Sequence, residues 1–195
     1  VVWANQLVLR NRLTEQGTDA VGLDTGYYRQ GWLYPMRGPR PAVITKDLRE
    51  VSPEDLEGFD AVAHLAELSN DPLGQQDPNL THEINHGGSV RLAQLARKAG
   101  SKRFVYMSSC SVYGVGAPDQ VLDEDSPVNP QTAYAECKAK VERDVSAMAG
   151  DDFEPCFLRN ASAYGASPRQ RFDIVLNDLC GLAWTTKQIK LLSDG

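Results

Sequence analysis

Tyr134-Ala135-Glu136-Cys137-Lys138, with Met107-Ser108-Ser109-Cys110-Ser111-Val112-Tyr113-Gly114 upstream of it, brings a phenol, an ammonium and hydroxyls into one stretch of chain. Residues four apart in a helix lie one turn from each other on one face, so Tyr134 and Lys138 can share a site. A free phenol, with a pKa of about 10, is a poor base at neutral pH. A neighbouring cation favours the phenolate, which makes Tyr134 a candidate base. Ser109 follows the apolar run Arg103-Phe104-Val105-Tyr106-Met107. That position is the carboxyl end of a strand, the edge outside which open α/β sheets bind ligands. Its hydroxyl is placed to hold a reacting oxygen. The chemistry that uses this set is hydride loss from an alcohol, with Tyr134 taking the hydroxyl proton. A bare Tyr-x-x-x-Lys is a weak signal, because two common residues at helical spacing usually mark a solvated face.

The elements that must carry these groups alternate between strand and helix. Leu7 to Gly17 reads as an amphipathic helix with Leu7, Val8, Leu9 and Leu13 apolar and Gly17 at its C-terminal cap. Val21 to Asp24 reads as a short strand, 25–41 as a long Gly-, Pro-, Tyr- and Arg-rich loop, and Pro53 to Leu56 as a short helix. A buried strand is expected at 60–65 and a helix from Thr81 to Ala99 with Leu92, Leu95 and Ala96 on one face. Asn129-Pro130 is the expected N-cap and first-turn pair of the helix bearing Tyr134, and Gly150 its stop. The βα alternation without hairpin signals predicts an α/β fold with a doubly wound parallel sheet.

Composition narrows the function classes. The chain has 195 residues, of which 42% are hydrophobic, enough for one core of ordinary size. With 20 basic and 26 acidic residues, the net charge of -6 offers no footprint for nucleic acid or an anionic membrane. Cysteines 110, 137, 156 and 180 form no Cys-x-x-Cys pair and read as reduced thiols. No apolar run of about 18 residues and no charged-then-apolar leader is visible, so a soluble cytoplasmic protein is expected. His64, His82 and His86 lack metal-ligand spacing, so no metal is expected, and His64 reads as packing at a strand end. Trp32, Tyr27 and Tyr28 could stack on a sugar or base, or pack the loop on the domain.

The Ser-Ser-Cys-Ser-Val-Tyr-Gly block together with Tyr134-x-x-x-Lys138 resembles the extended short-chain dehydrogenase/reductases, the Rossmann-like sugar-nucleotide epimerases and dehydratases typified by UDP-glucose 4-epimerase. The resemblance runs from Leu7 onward and implies NAD as cofactor and a nucleotide-sugar substrate. It implies that Asp24 binds the adenosine ribose, which favours NAD over NADP. Asp47 and Leu48 would contact the adenine. Leu65 and Ala66, in His64-Leu65-Ala66, would pass beside the cofactor, as would Asn85 of Asn85-His86-Gly87-Gly88-Ser89. Asn160 and Ala161 would lie under the nicotinamide, and Ser108 also falls among the implied cofactor contacts, although terminating the strand is the preferred reading for Ser108 and Ser111. Tyr134, Lys138 and Ser109 would be catalytic, with Lys138 lowering the Tyr134 pKa and holding the nicotinamide ribose. Ser109, Ser111 and Asn177 would bind substrate. A homodimer is a reasonable expectation of the resemblance.

Two departures qualify it. Relatives open with a strand and a Gly-x-x-Gly-x-x-Gly turn, whereas this sequence has no glycine before Gly17 and places Trp3 and Gln6 where the last two glycines would fall. Ile189-Lys190-Leu191-Leu192-Ser193-Asp194-Gly195 resembles the strand that leads into a substrate-binding lobe, and the sequence stops there. Residues 1–165 are thus expected to form the NAD-binding part and 166–195 the start of the substrate lobe, the fold being truncated at both places. Cys110-Ser111 follow Ser109 where the 4,6-dehydratases place an Asp-Glu pair, which disfavours dehydration; Cys110 reads as structural. The expected reaction is epimerisation: hydride leaves a sugar carbon for NAD as Tyr134 takes the hydroxyl proton, then returns to the other face. An NAD-dependent reductase or dehydrogenase of another alcohol or ketone would use the same residues, and a non-catalytic, glycine-less relative remains open.

Overall fold

The computed structural model describes residues 3–35, 42–69, 71–117 and 119–191. Its strands are β1 (Gly22–Asp24), β2 (Val43–Thr45), β3 (Ala61–His64), β4 (Arg103–Ser109) and β5 (Glu154–Asn160). Every strand pair is parallel: β1 with β2 in one sheet, and β3-β4-β5 in order in another. The helices are α1 (Trp3–Glu15), α2 (Asp71–Gln76), α3 (Pro78–Thr81), α4 (Ser89–Lys98), α5 (Ala133–Ser146) and α6 (Val175–Thr186). Parallel strands joined by helical crossovers are the predicted fold. The doubly wound order 3-2-1-4-5-6 has the same two outer groups, and among the described residues no strand joins β1 to β3.

Two compact units divide the chain. The first holds residues 21–25 and 42–161, and with them all five strands. Its core is Phe104 and Tyr106 of β4, Leu92, Ala93 and Ala96 of α4, Val141 and Val145 of α5, and Leu48, Val51, Leu56 and Phe153, each under one tenth exposed. Along β4, Phe104, Tyr106 and Ser108 are buried while their neighbours are less so, the period of two of a strand with one covered face. The second unit, residues 3–20, 26–41 and 162–195, carries α1 and α6.

Several boundaries differ from the sequence reading, each for a local reason. α5 is capped by Thr132, whose hydroxyl accepts from the Ala135 amide at 3.2 Å; Asn129-Pro130 lies before the helix and gives its carbonyl to the Gln131 side chain. Thr132→Ala is therefore expected to cost about 1 kcal/mol, read as a lower denaturation midpoint, whereas Asn129→Ala leaves the helix cap intact. The helix ends at Ser146, and Gly150 instead pairs with Phe153 in a short bridge. The helix expected from Thr81 starts at Pro78 because the Asp77 carboxylate caps Leu80, and it passes through a π-helical turn at His82–Gly88 before α4. Ile189–Leu191 forms no strand, contrary to the resemblance; 192–195 lie outside the described residues. The loop at 25–41 is interrupted by a 3-10 turn at Arg29–Gly31, and 36–41 lie outside the described residues. Trp3 and Gln6 fall in α1.

Candidate functional site

Three carboxyl-edge positions of the parallel strands carry groups the sequence singles out: Asp24 ends β1, His64 ends β3 and Ser109 ends β4. Ser109 then caps a 3-10 turn, Cys110–Tyr113. Its Oγ accepts from the Ser111 amide at 3.2 Å and from the Ser111 hydroxyl at 2.9 Å. Both bonds use oxygen lone pairs, leaving the Ser109 proton to be donated outward. Ser111 thereby orients Ser109. Cys110, read from the sequence as structural, is exposed here.

α5 packs on β4 and on this turn, which brings Tyr134 and Lys138 to the strand end. The Lys138 ammonium is buried at 3% residue exposure and donates to the carbonyl of Met107, two residues before Ser109. It lies 5.3 Å from the Tyr134 ring centroid and 4.4 Å from that of Tyr106. It also meets a carboxylate that the sequence reading missed: Glu67 Oε2 is 2.5 Å away, and both side chains are almost wholly buried. Glu67 accepts from the Tyr106 hydroxyl at 2.5 Å; Ser89 Oγ, 3.3 Å from Glu67, gives its proton to the Asn85 carbonyl at 2.5 Å and lies 2.7 Å from His64 Nε2. Burial, against the opposing pull of Glu67, takes the His64 pKa down to about 4, so the ring is neutral at physiological pH. Burial first and Glu67 second push the Tyr106 phenol well above its usual value. The His64 ring is 3% exposed, as its reading as a packing residue requires.

Other expected contacts have partners within the fold. Ser108 is buried, and its hydroxyl donates to Glu142, which Arg159 grips through Nε and Nη2. The Ser108 hydroxyl is thus held by Glu142 of α5 where β4 ends. Asn85 is fully buried in the π turn, its amide accepting from the Leu68 amide at 2.8 Å and donating to the Leu68 carbonyl at 2.9 Å. These two bonds clamp the segment after β3. Asp47 caps the turn Leu48–Glu50 and binds Arg49, whose hydrogen bond is the main cause of its lowered pKa, and Leu48 is a core residue. Leu65 is buried and Ala66 half-buried just beyond β3. Asn160 stands opposite Ser109 in the β4–β5 register and Ala161 follows it, exposed. In the second unit Asn177 is buried on α6, accepting from the Gly165 amide and donating to the Arg171 carbonyl. α6 is absent from the sequence reading above, although Leu176, Leu179, Cys180 and Ala183 recur at helical spacing. Tyr27 is exposed, and Tyr28 lies under the Arg169 guanidinium at 5.4 Å. The Cys137 thiol, near His82 Nδ1 at 3.2 Å, is pushed up to about 11 by burial and by Glu67, which makes it a poor nucleophile.

The donor set fits the two ends of a dinucleotide. A carboxylate ends β1, where a ribose diol can be bound, and a phenol, an ammonium and an outward serine hydroxyl gather at the end of β4. For the pyrophosphate, no glycine precedes Gly17.

A family model for the NAD dependent epimerase/dehydratase family matches residues 8–195. The chain belongs to this family. NAD is the cofactor of its members, as the sequence implied. UDP-glucose 4-epimerase of Mycolicibacterium smegmatis is 35% identical over 131 residues, which are 66% of this chain and 39% of that protein. Among solved structures, TunA, an NAD-dependent NDP-hexosamine 5,6-dehydratase of tunicamycin biosynthesis, superposes with a TM-score of 0.82 at 27% identity over 96% of this chain and 61% of its own. MoeE5, solved with UDP-glucose and NAD, gives 0.75 at 26% identity over 98% and 60%. The chain thus spans about three fifths of these structures and under half of the curated epimerase. No helix among the described residues is long and apolar enough to cross a membrane.

Proposed function

We propose that this chain carries the redox site of an NAD-dependent sugar-nucleotide epimerase. The observation that supports it most is the anchoring of Lys138 to the Met107 carbonyl, which holds the Tyr134 turn of α5 against the strand end that presents Ser109. Ser109, its lone pairs occupied by Ser111, donates to the sugar oxygen and holds it. Tyr134 accepts the hydroxyl proton during oxidation and returns it during reduction. Lys138 places its ammonium, paired with Glu67, on the same helix face. NAD, when bound, would supply the hydride acceptor and donor. Asp24 binds the adenosine ribose, Leu65 and Ala66 flank the cofactor, and Asn160 and Ala161 border its nicotinamide end. Residues 1–165 supply the NAD-binding part.

The likeness to TunA favours a second reading, sugar-nucleotide dehydration. Epimerisation is preferred because Cys110 and Ser111, next to Ser109, offer no carboxyl group to expel water, and Glu67 is buried in its pairing with Lys138. Incubation with NAD and UDP-glucose, followed by chromatography of the sugar nucleotides, separates the readings. The expected product is the 4-epimer with no net NADH. A dehydrated sugar, or NADH accumulating in step with an oxidised sugar, would overturn epimerisation.

A further inference from the structure

We propose that Glu67 is a positioning residue for the Tyr134–Lys138 pair, its buried carboxylate neutralising the Lys138 ammonium and thereby setting how acidic the Tyr134 phenol is. The proposal rests on Tyr134 serving as the base, as argued above. The Lys138 ammonium lies 5.3 Å from the Tyr134 ring centroid, and an uncompensated cation this near, at an effective dielectric of about 20, is worth on the order of one to two pK units in favour of the phenolate. Here the ammonium is not alone. Glu67 sits 2.5 Å from it, and the pair presents Tyr134 with a dipole in place of a net charge.

The other titratable groups around the pair leave that balance in place. From β3 comes His64, neutral at physiological pH; from β4 comes Tyr106, which stays protonated while donating to Glu67. From the π turn, His82 faces Cys137 and Glu136 on the flank of α5. Glu67 is itself fixed by the Tyr106 hydroxyl, so it holds the Lys138 stem on the Met107 carbonyl as well as cancelling its charge. Nothing in the chain's spacing announces this partner, which lies just past the His64-Leu65-Ala66 run.

The test reads the phenol directly and needs neither cofactor nor substrate. The absorbance of Tyr134 ionisation is taken as the difference between the protein and its Tyr134→Phe counterpart during an alkaline titration, with Glu67 and with Glu67→Gln. Glu67→Gln is expected to move the Tyr134 transition down by about one pH unit, because Lys138 is then uncompensated. Glu67→Asp, which keeps the charge, restores the transition to within a few tenths of a unit. An unchanged or upward-moving transition in folded Glu67→Gln would overturn the proposal. Should Glu67→Gln fail to fold, the double variant Glu67→Gln/Lys138→Met decides, since replacing both members of a buried pair is tolerated far better than removing one. It is expected to titrate within a few tenths of a unit of the parent, and an upward shift of about a unit or more would show that Lys138 was acting unneutralised. A protein without turnover still gives this titration, so its result stands apart from that of the product assay.

Discussion

Tyr134→Phe is expected to abolish epimerisation, lowering turnover by about a thousandfold or more, while NADH affinity stays within a few fold. The substitution removes one oxygen from a half-buried ring on α5 and leaves the packing around Lys138, Ala135 and Val141 in place. A positioned acid/base contributes typically about 10²–10⁴-fold, and here the same phenol serves both half-reactions. Lys138, held by Glu67 and the Met107 carbonyl, cannot take over: its ammonium is buried and has no proton to gain. Steady-state rates on UDP-glucose beside an NADH titration check the prediction. Retained turnover would remove Tyr134 from the mechanism, and joint loss of turnover and NADH binding would make it a binding residue.

Gly114→Ala carries the largest expected cost in stability. Gly114 closes the turn that follows Ser109 at φ 69° and ψ -140°, backbone that a side chain rarely adopts. A Cβ there would lie 2.0 Å from the carbonyl oxygen of Asn129, whose own amide is tied to the Val112 carbonyl at 2.9 Å. Neither backbone can yield without opening the turn that orients Ser109 and Ser111. Strain and displacement together are expected to cost about 3 kcal/mol, roughly 6–12 °C in Tm for a chain of this size. Turnover should fall with it, because the Ser109 hydroxyl loses its fixed direction. Thermal unfolding followed by circular dichroism reads the effect, and a change within about 2 °C would mean that the turn tolerates a side chain.

What the sequence made legible was local. Tyr134 and Lys138 share a helix face because four residues make about one turn, and β4 announces itself by seven extended residues ending in serines. Parity along that strand also separates the two serines: Ser109 stands on the opposite face from Phe104 and Tyr106, and Ser108 on theirs. The remainder depended on contacts between distant segments. Thr132 displaced Asn129 as the cap because the chain before α5 is held in the Gly114–Asn129 approach, which no capping preference encodes. Asn85 looked like a ligand residue by resemblance, yet the π turn points its amide at Leu68. Glu67 belongs to no periodic pattern, and its partners Tyr106 and Lys138 come from other elements. A carboxylate becomes informative only when burial shows that it must be paired.

The central claim, that this chain is built to work with NAD, is tested most directly by titrating it with NADH and following energy transfer from its three tryptophans, Trp3, Trp32 and Trp184, to the nicotinamide. The account predicts saturation in the micromolar range, with Asp24→Ala weakening it about tenfold through loss of the ribose contact. Absence of saturable transfer in the folded protein would contradict it.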